Sequence, residues 1–372
     1  MTLHEIAKRA KVSIATVSRT INCVPSVTPS LARRVRKVIE EVGYYPNTHA
    51  RRLVSGRSRV FGLMVSDTIG PFLREVMQTF EKLGFEHNYE IFLSSIARDL
   101  CQMEVAVRRM IERRVEGVAI LSFEEENSLI EAFRGRDLPL VVFDKESLEP
   151  LLKTVCIDYK HGVRQAVQHL AALGHARIAL ITGPARLRTA VARKIAFQEC
   201  MKEIGLEIAP QLLMQGDHTL EGGMKAVAVL AALLDPPSAV LCSNDMTAVG
   251  VMRGAFELGL NVPRDLSVVG FDDNQIAQFV TPSLTTVQMS CVEVAKEAFR
   301  TLLDAVEDQC DGSSRRVCAI QSNLILRCST NLAPGRIREG AAGKPADGGL
   351  PPKEFDSESQ SRSSSAPDSC LS

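Results

Sequence analysis

The chain has 372 residues, 45% hydrophobic and 24% charged, and no stretch approaches the roughly 18 to 20 consecutive apolar residues of a membrane span. The opening "MTLHEIAKRA" also lacks the apolar core of a secretory signal, so a cytoplasmic protein of two or three domains is expected, with no membrane partner. Basic and acidic residues balance at 44 each, but they are segregated: residues 1–60 hold 12 Lys/Arg and 3 Asp/Glu, and the remainder 32 and 41. A basic head on an acidic body reads either as a solvated surface or as a nucleic-acid-binding one. Ten cysteines are scattered without CxxC or Cys/His spacing, so no zinc site, redox pair or cofactor is expected.

Three helices can be drawn in the first 43 residues. Around Leu3 to Ala10, the apolar residues Leu3, Ile6, Ala7 and Ala10 fall at i, i+3, i+4, i+7. A turn of about three residues precedes a second helix, for which Ser13 is a good N-cap. Ala7 allows the close helix approach of a helix-turn-helix. The third helix has Thr28 as N-cap, Pro29 at its first position, Leu31, Val35, Val38 and Val42 on one face, and Gly43 beyond its end. In a helix-turn-helix the second helix offers its first residues to base edges in the major groove. Arg19 can pair with guanine, Ile14 and Ala15 can offer apolar contact to a thymine methyl, and Ser13, Thr16 and Ser18 can reach phosphates. The competing reading of Ile14 is that it packs inward.

Within residues 44 to 59, "YYPNTHARRLVSGRSR", Asn47 is a possible cap for a helix of about seven residues ended by Ser55-Gly56, too short to be stable alone in water. Arg51 and Arg52 would meet phosphates. Leu53 is either an incidental linker residue or an apolar wedge for a minor-groove base step.

From Val60 to about Thr330, apolar runs alternate with amphipathic helical stretches. The strands expected are "VFGLMVS", "EIFLSS", "GVAILS", "LPLVVFD", "TVCID", "RIALITG", "SAVLCSND", "LSVVGFDD" and "LTTVQ". That alternation is an α/β pattern with doubly wound parallel sheets, and so many strands suit two lobes better than one. Polar residues gather after the strand carboxyl ends, where open α/β sheets bind ligands: Asp67, Asp144, Asp158, Gly183-Pro184, Asn244-Asp245 and Asp272-Asp273. Individually, Asp158, Asp245 and Asp273 read as caps of the following helices.

Residues 1 to about 330 resemble the LacI/GalR-type transcriptional regulators. The stretches that carry the resemblance are "VSIATVSRTIN", "GYYPNTHARRLVSGRSRVFGLMV", "LGHARIALITGP", "CSNDMTAVGVMRGAFELGLNVPRDLSVVGFDD" and "TPSLTTVQ". The resemblance implies a helix-turn-helix head over 1–46 and a hinge helix and linker over 47–59. It further implies a two-lobed periplasmic-binding-protein-like body over 60–330. The first lobe would span about 60–158 plus 290–316 and the second about 159–288 plus 317–330. Ile14 and Ala15 would be the specificity pair; Asn47, Ala50, Arg51, Arg52 and Leu53 would belong to the hinge segment, with Leu53 as the wedge at the centre of a palindromic double-stranded DNA operator. The family works as homodimers, which suits half-sites related by a two-fold axis.

Carried over by position, the effector cleft would use Phe72, Leu73 and Asp144 on the first lobe and Arg193, His218, Asn244 and Asp272 on the second. Such a set can fork onto vicinal hydroxyls, or Arg193 can take a carboxylate or phosphate, so a sugar or sugar acid is the expected effector. The sequence departs from the family at Gly70, Lys145, His218 and Met289, where specificity is set. Alternatives are a purine-type ligand or a partner protein on the first lobe. An enzyme would need a GxGxxG or GxxxxGK[ST] loop after a strand, and neither occurs. Residues 331–372, rich in Gly, Pro and Ser, carry no heptads and read as a disordered tail that cannot tetramerise the dimer.

Overall fold

The computed structural model of the protein describes residues 2–21, 25–44, 57–66, 71–96, 100–121, 127–133, 135–136, 138–143, 152–307 and 318–334. The head is α1 (Leu3–Ala10), α2 (Ile14–Ile21) and α3 (Pro29–Glu41). Thr2 and Glu5 close a capping box at the start of α1. Ser13 caps α2 by accepting from the Thr16 N–H at 3.1 Å. Thr28 precedes α3 as expected, but its hydroxyl accepts from no backbone N–H of that helix. Ile6, Ala7, Ala10, Val17, Val35 and Val38 form a single buried cluster, the amphipathic stripes of three short helices that could not persist apart.

In the body, the chain first lays down β1 (Val60–Ser66), α4 (Pro71–Glu86), β2 (Glu90–Ile96), α5 (Leu100–Glu112), β3 (Gly117–Leu121), α6 (Asn127–Phe133), β4 (Leu140–Phe143) and β5 (Leu152–Asp158). It then builds α7 (Tyr159–Ala172), β6 (Ile178–Ile181), α8 (Arg188–Glu203), β7 (Leu213–Met214), α9 (Leu220–Ala231), β8 (Ala239–Cys242), α10 (Asp245–Glu257), β9 (Ser267–Asp272), α11 (Ile276–Phe279) and β10 (Thr285–Gln288). Finally α12 (Cys291–Val306) and β11 (Cys318–Gln321) return to the first unit, and β12 (Asn323–Ile325) to the second.

The sheets have six strands each, in the orders β11-β5-β4-β3-β1-β2 and β12-β10-β9-β8-β6-β7. The first is parallel throughout, and the second is parallel except for β12, which runs antiparallel on β10. Runs such as Gly117–Leu121 and Ile178–Ile181 are buried along their whole length, as strands covered on both faces must be. Among the described residues no helix is long and apolar enough to cross a membrane.

Two boundaries differ from expectation. The resemblance puts the last lobe crossing at about 316/317, but Cys318–Gln321 pairs with β5 of the first sheet, so the crossing falls at Ser322. Ser322 is locked there: its hydroxyl donates to the Asp158 carbonyl at 2.7 Å and accepts from the Gly162 N–H at 3.1 Å, joining two crossings side by side. A Cβ at Gly162 would stand 2.4 Å from Val287 of β10, so glycine is what lets α7 approach this junction. Composition puts the start of the tail at about Asn331, yet 331–334 are held on the second lobe. Asn331 donates its N–H to Ser267 Oγ at 3.0 Å, and Ala333 donates its N–H to the Leu173 carbonyl at 3.0 Å. Residues 335–372 lie outside the described residues.

Candidate DNA-binding face and effector cleft

On α2, Val17 and Thr20 are buried, while Ser13, Ile14, Ala15 and Arg19 are exposed and Thr16 and Ser18 half-buried. Ile14 is 45% exposed, so it faces outward and not into the head core. Thr20 is the inward polar residue of the helix, and its hydroxyl is satisfied by the Thr16 carbonyl at 2.8 Å. Ser13 is half committed, since its hydroxyl already caps α2 and contacts Thr16 Oγ1 at 3.0 Å. The exposed face therefore has an apolar start at Ile14 and Ala15 and a cation one turn later at Arg19. Asn47, Ala50, Arg51, Arg52 and Leu53 lie outside the described residues.

The carboxyl ends of the two sheets approach each other: Arg188, at the start of α8, donates from Nη2 to the Phe143 carbonyl at the end of β4, 3.0 Å away. Beneath this contact lies Arg193, 5% exposed. One face of its guanidinium rests over the Phe271 ring at 3.8 Å, with Tyr159 at 5.3 Å. It donates from Nη1 to the Ser243 carbonyl and from Nη2 to Asp272 Oδ1 at 3.0 Å. Its Nε–H is buried and has no acceptor among the described residues. Burial pushes the Asp272 carboxyl up from its ordinary range, and the Arg193 charge and hydrogen bond pull the other way.

Ser243 links this pair to His218, whose Nε2 shares a hydrogen bond with Ser243 Oγ at 3.0 Å. Burial and then the Arg193 charge lower the His218 pKa to about 4, so the ring is neutral at physiological pH. The ring is also held close against Gly183, where a Cβ would lie 1.9 Å from Nε2. Asn244 supports the arrangement from below: its Oδ1 accepts the Thr247 N–H at 2.9 Å as the cap of α10, and its Nδ2 donates to the His218 carbonyl at 3.2 Å. His218 and Asp272 both sit in the left-handed region, at φ 66° and 107°. Non-glycine residues adopt such conformations where the surroundings over-determine them, commonly at ligand sites.

On the first lobe the expected residues fare differently. Leu73 is a core residue, 1% exposed and packed in the same cluster as Tyr159, Phe271 and Met289. Phe72 lies in the first turn of α4, and its side chain is outside the described residues, as is the whole of Asp144. Met289, one of the departures, is buried at the crossing, where an apolar side chain fits the floor of the junction.

The strand-end acids also separate. Asp158 caps α7 as expected, accepting from the His161 N–H at 3.0 Å. Asp245 does not cap its helix. It is fully buried, accepts from the Asn274 N–H at 2.6 Å and the Thr286 hydroxyl at 2.5 Å, and is raised well above its ordinary pKa by burial and the neighbouring Asp272. Asp273 caps nothing either: it pairs with Arg327 at 2.6 Å and accepts from Gln288 Nε2 at 2.8 Å. Both carboxyls tie β9 to the crossing strand β10. The reading from sequence named neither Ser243, Tyr159 nor Arg188. Ser243 carried a signal as the residue between β8 and the Asn244 cap, whereas the role of Arg188 depends on a carbonyl 45 residues away.

Residues 2–47 match the model described as bacterial regulatory proteins, lacI family, and residues 167–330 the model described as periplasmic binding protein-like domain. The chain is 33% identical over 341 residues to the HTH-type transcriptional repressor CytR of Escherichia coli K12, covering 90% of this chain and 97% of that repressor. It is 30% identical over 331 residues to the HTH-type transcriptional repressor PurR of Aliivibrio fischeri, covering 88% and 98%. A solved complex of the transcriptional regulator CelR with cellobiose is similar at a TM-score of 0.66 and 28% identity, covering 88% of this chain and 99% of that one. With likeness that runs through the head and both lobes together, the chain belongs to the lacI family of bacterial regulatory proteins, as a DNA-binding transcriptional repressor and not an enzyme.

Proposed function

We propose that this repressor binds a palindromic operator as a homodimer in the cytoplasm and is controlled by a sugar or sugar acid held between its lobes. The observation that carries the effector class is the Asp272–Arg193–Ser243–His218 chain of hydrogen bonds. A cation and a carboxylate side by side offer paired donors and acceptors to vicinal hydroxyls, and the neutral His218 adds one more polar contact without a charge to compensate. The orphaned Nε–H of Arg193 is a donor that a hydroxyl or carboxylate can satisfy. CelR, a relative in fold, is solved in complex with cellobiose, which supports a carbohydrate effector. Asn244 acts by positioning His218, and Phe72 and Asp144 contribute contacts to the effector from the first lobe.

On the DNA, Ile14, Ala15 and Arg19 read base edges, while Ser13, Thr16 and Ser18 contact phosphates. Asn47, Ala50, Arg51, Arg52 and Leu53 engage the minor groove, with Leu53 as the wedge. Effector binding changes the angle between the lobes and so the geometry of the two heads.

The test is thermal stability of the purified protein against hexoses, pentoses, sugar acids, sugar phosphates and purines. A ligand at about 100 times its dissociation constant adds roughly 2.7 kcal/mol. A shift with one carbohydrate class, abolished by His218→Ala, is expected. A shift with purines alone would replace the carbohydrate, and a flat panel would transfer control to a partner protein.

A further inference from the structure

The described body begins at Arg57, and one carboxylate gathers the residues before β1. Glu116, immediately before β3, accepts from Arg57 Nη2 at 3.0 Å and Nε at 3.3 Å through Oε2, and from the Arg59 backbone N–H at 2.8 Å through Oε1. Tyr89 closes the arrangement: its hydroxyl donates to Glu116 Oε2 at 3.1 Å and accepts from Arg57 Nη2 at 2.9 Å. Between the two arginines Ser58 is buried, its hydroxyl accepting the Val60 N–H at 3.3 Å. Arg59 is left-handed at φ 53°, a conformation a β-rich entry would not choose unaided, and the Glu116 bond to its N–H holds it.

This cluster is not needed to close the sheet. Backbone pairing already fixes Arg59 onward: the Arg59 carbonyl accepts the Glu90 N–H at 2.8 Å and the Val60 carbonyl accepts the Glu116 N–H at 2.8 Å. What the Glu116 side chain adds is the immobilisation of Arg57 and Ser58, together with the orientation of the Arg59 N–H. Its reference is rigid: the Tyr89 ring stacks on Phe61 at 4.1 Å and 11°, and Phe299 of α12 meets both rings edge-on. α12 itself begins at Cys291, just past the crossing where Gln288 holds Asp273 beside the cleft residue Asp272. Its 16 residues span roughly 24 Å, so one helix runs from the cleft end of the lobe to the clamp.

We propose that Glu116, with Tyr89, is a positioning residue for DNA binding: it clamps Arg57 and Ser58 against the start of the sheet and so fixes the point from which each head is tethered. Released, two residues add roughly 7 Å of reach to each tether, whereas one base pair is about 3.4 Å of duplex. The clamp is therefore large enough to decide whether two heads in a dimer distinguish half-site spacings, because a longer tether lowers the effective concentration of the second head and spreads its reach.

The experiment uses the full-length protein, a selected palindromic operator, and versions of it with the half-sites one base pair closer, one further and two further apart. Affinities are measured for wild type, Glu116→Ala and Tyr89→Phe, together with thermal melting. Glu116→Ala is expected to bind the best operator about tenfold more weakly and to flatten the spacing preference by a similar factor. Tyr89→Phe, which keeps the stack on Phe61, should shift both in the same direction by about threefold. A purely structural role would lower the melting temperature while leaving the ratio of affinities across spacings intact. Spacing ratios within about twofold of wild type in the folded variants would overturn the clamp. If Glu116→Ala does not fold, the spacing ratio of Tyr89→Phe decides alone.

Discussion

The exposed face of α2 and the cleft between the lobes, the two binding sites we propose, are built on opposite principles. On α2 the residues proposed to meet DNA are exposed, and Ile14 and Arg19 stand out from a helix whose buried side is already satisfied. In the cleft, Arg193, His218, Asn244 and Asp272 are each bonded to another protein group. A surface that reads DNA gains from side chains that adapt to base edges and phosphates. A small ligand offers few contacts, so its site has to be ordered beforehand. The comparison teaches that substitutions in the cleft act on the fold as well as on binding, whereas substitutions at the exposed Ile14, Ala15 and Arg19 act on binding alone.

The largest effect that would test this contrast is in the buried ion pair. Arg193→Ala leaves the Asp272 carboxyl buried without its cation, and breaking such a pair costs about 3–5 kcal/mol. Urea unfolding should show this loss, and Arg193→Met combined with Asp272→Asn should recover part of it because no unpaired charge remains. An Arg193→Ala protein as stable as wild type would make the cleft resemble α2 after all.

Smaller is the effect expected on the head. Arg19→Met should leave unfolding unchanged and lower discrimination at one symmetric operator position by roughly 1–3 kcal/mol, read by selection from a randomised palindrome. A loss spread evenly over all sequences would reassign Arg19 to the phosphates.

The third effect concerns acid. The folded-state pKa of His218 is lowered from 6.5 to about 4 by burial and the Arg193 charge. Between those values the unfolded chain binds the proton and the folded one does not. The contribution is therefore complete above pH 6.5 and is lost as pH falls toward 4, with a slope of at most about 1.4 kcal/mol per pH unit. His218→Asn should flatten that limb in pH-dependent unfolding. His175 leaves a residue of slope, because burial lowers its pKa too while Ser238 Oγ and the Asn331 carbonyl hold its ring at 2.8 and 2.9 Å. An unchanged acid limb would mean that His218 titrates as an exposed group.

His175 also shows what a family stretch can conceal. It stands in "LGHARIALITGP", among the residues that carry the resemblance, but its work is to dock 331–334 onto the second lobe. Helical spacing in the head, the Ser13 cap and the buried parallel strands were legible because each depends on neighbours a few residues away. β7, β11 and β12 were not, being two to four residues long and defined by pairing with strands far off in the chain. In the cleft, Arg193 and Asp272 were legible as chemistry, but their partnership was not.

By itself, then, the sequence determined the local units: three amphipathic helices with the Ser13 cap, a succession of β and α segments, a basic head and an acidic body. Tertiary structure alone decided that Asp245 and Asp273 would join strands and not cap helices, that Cys318–Gln321 would edge the first sheet, and that Glu116 would reach back to Arg57 and Arg59. The physical reason is range. Helix periodicity and capping act within about four residues, whereas a buried carboxyl takes whichever donor the fold brings within hydrogen-bond distance, wherever that donor lies along the chain.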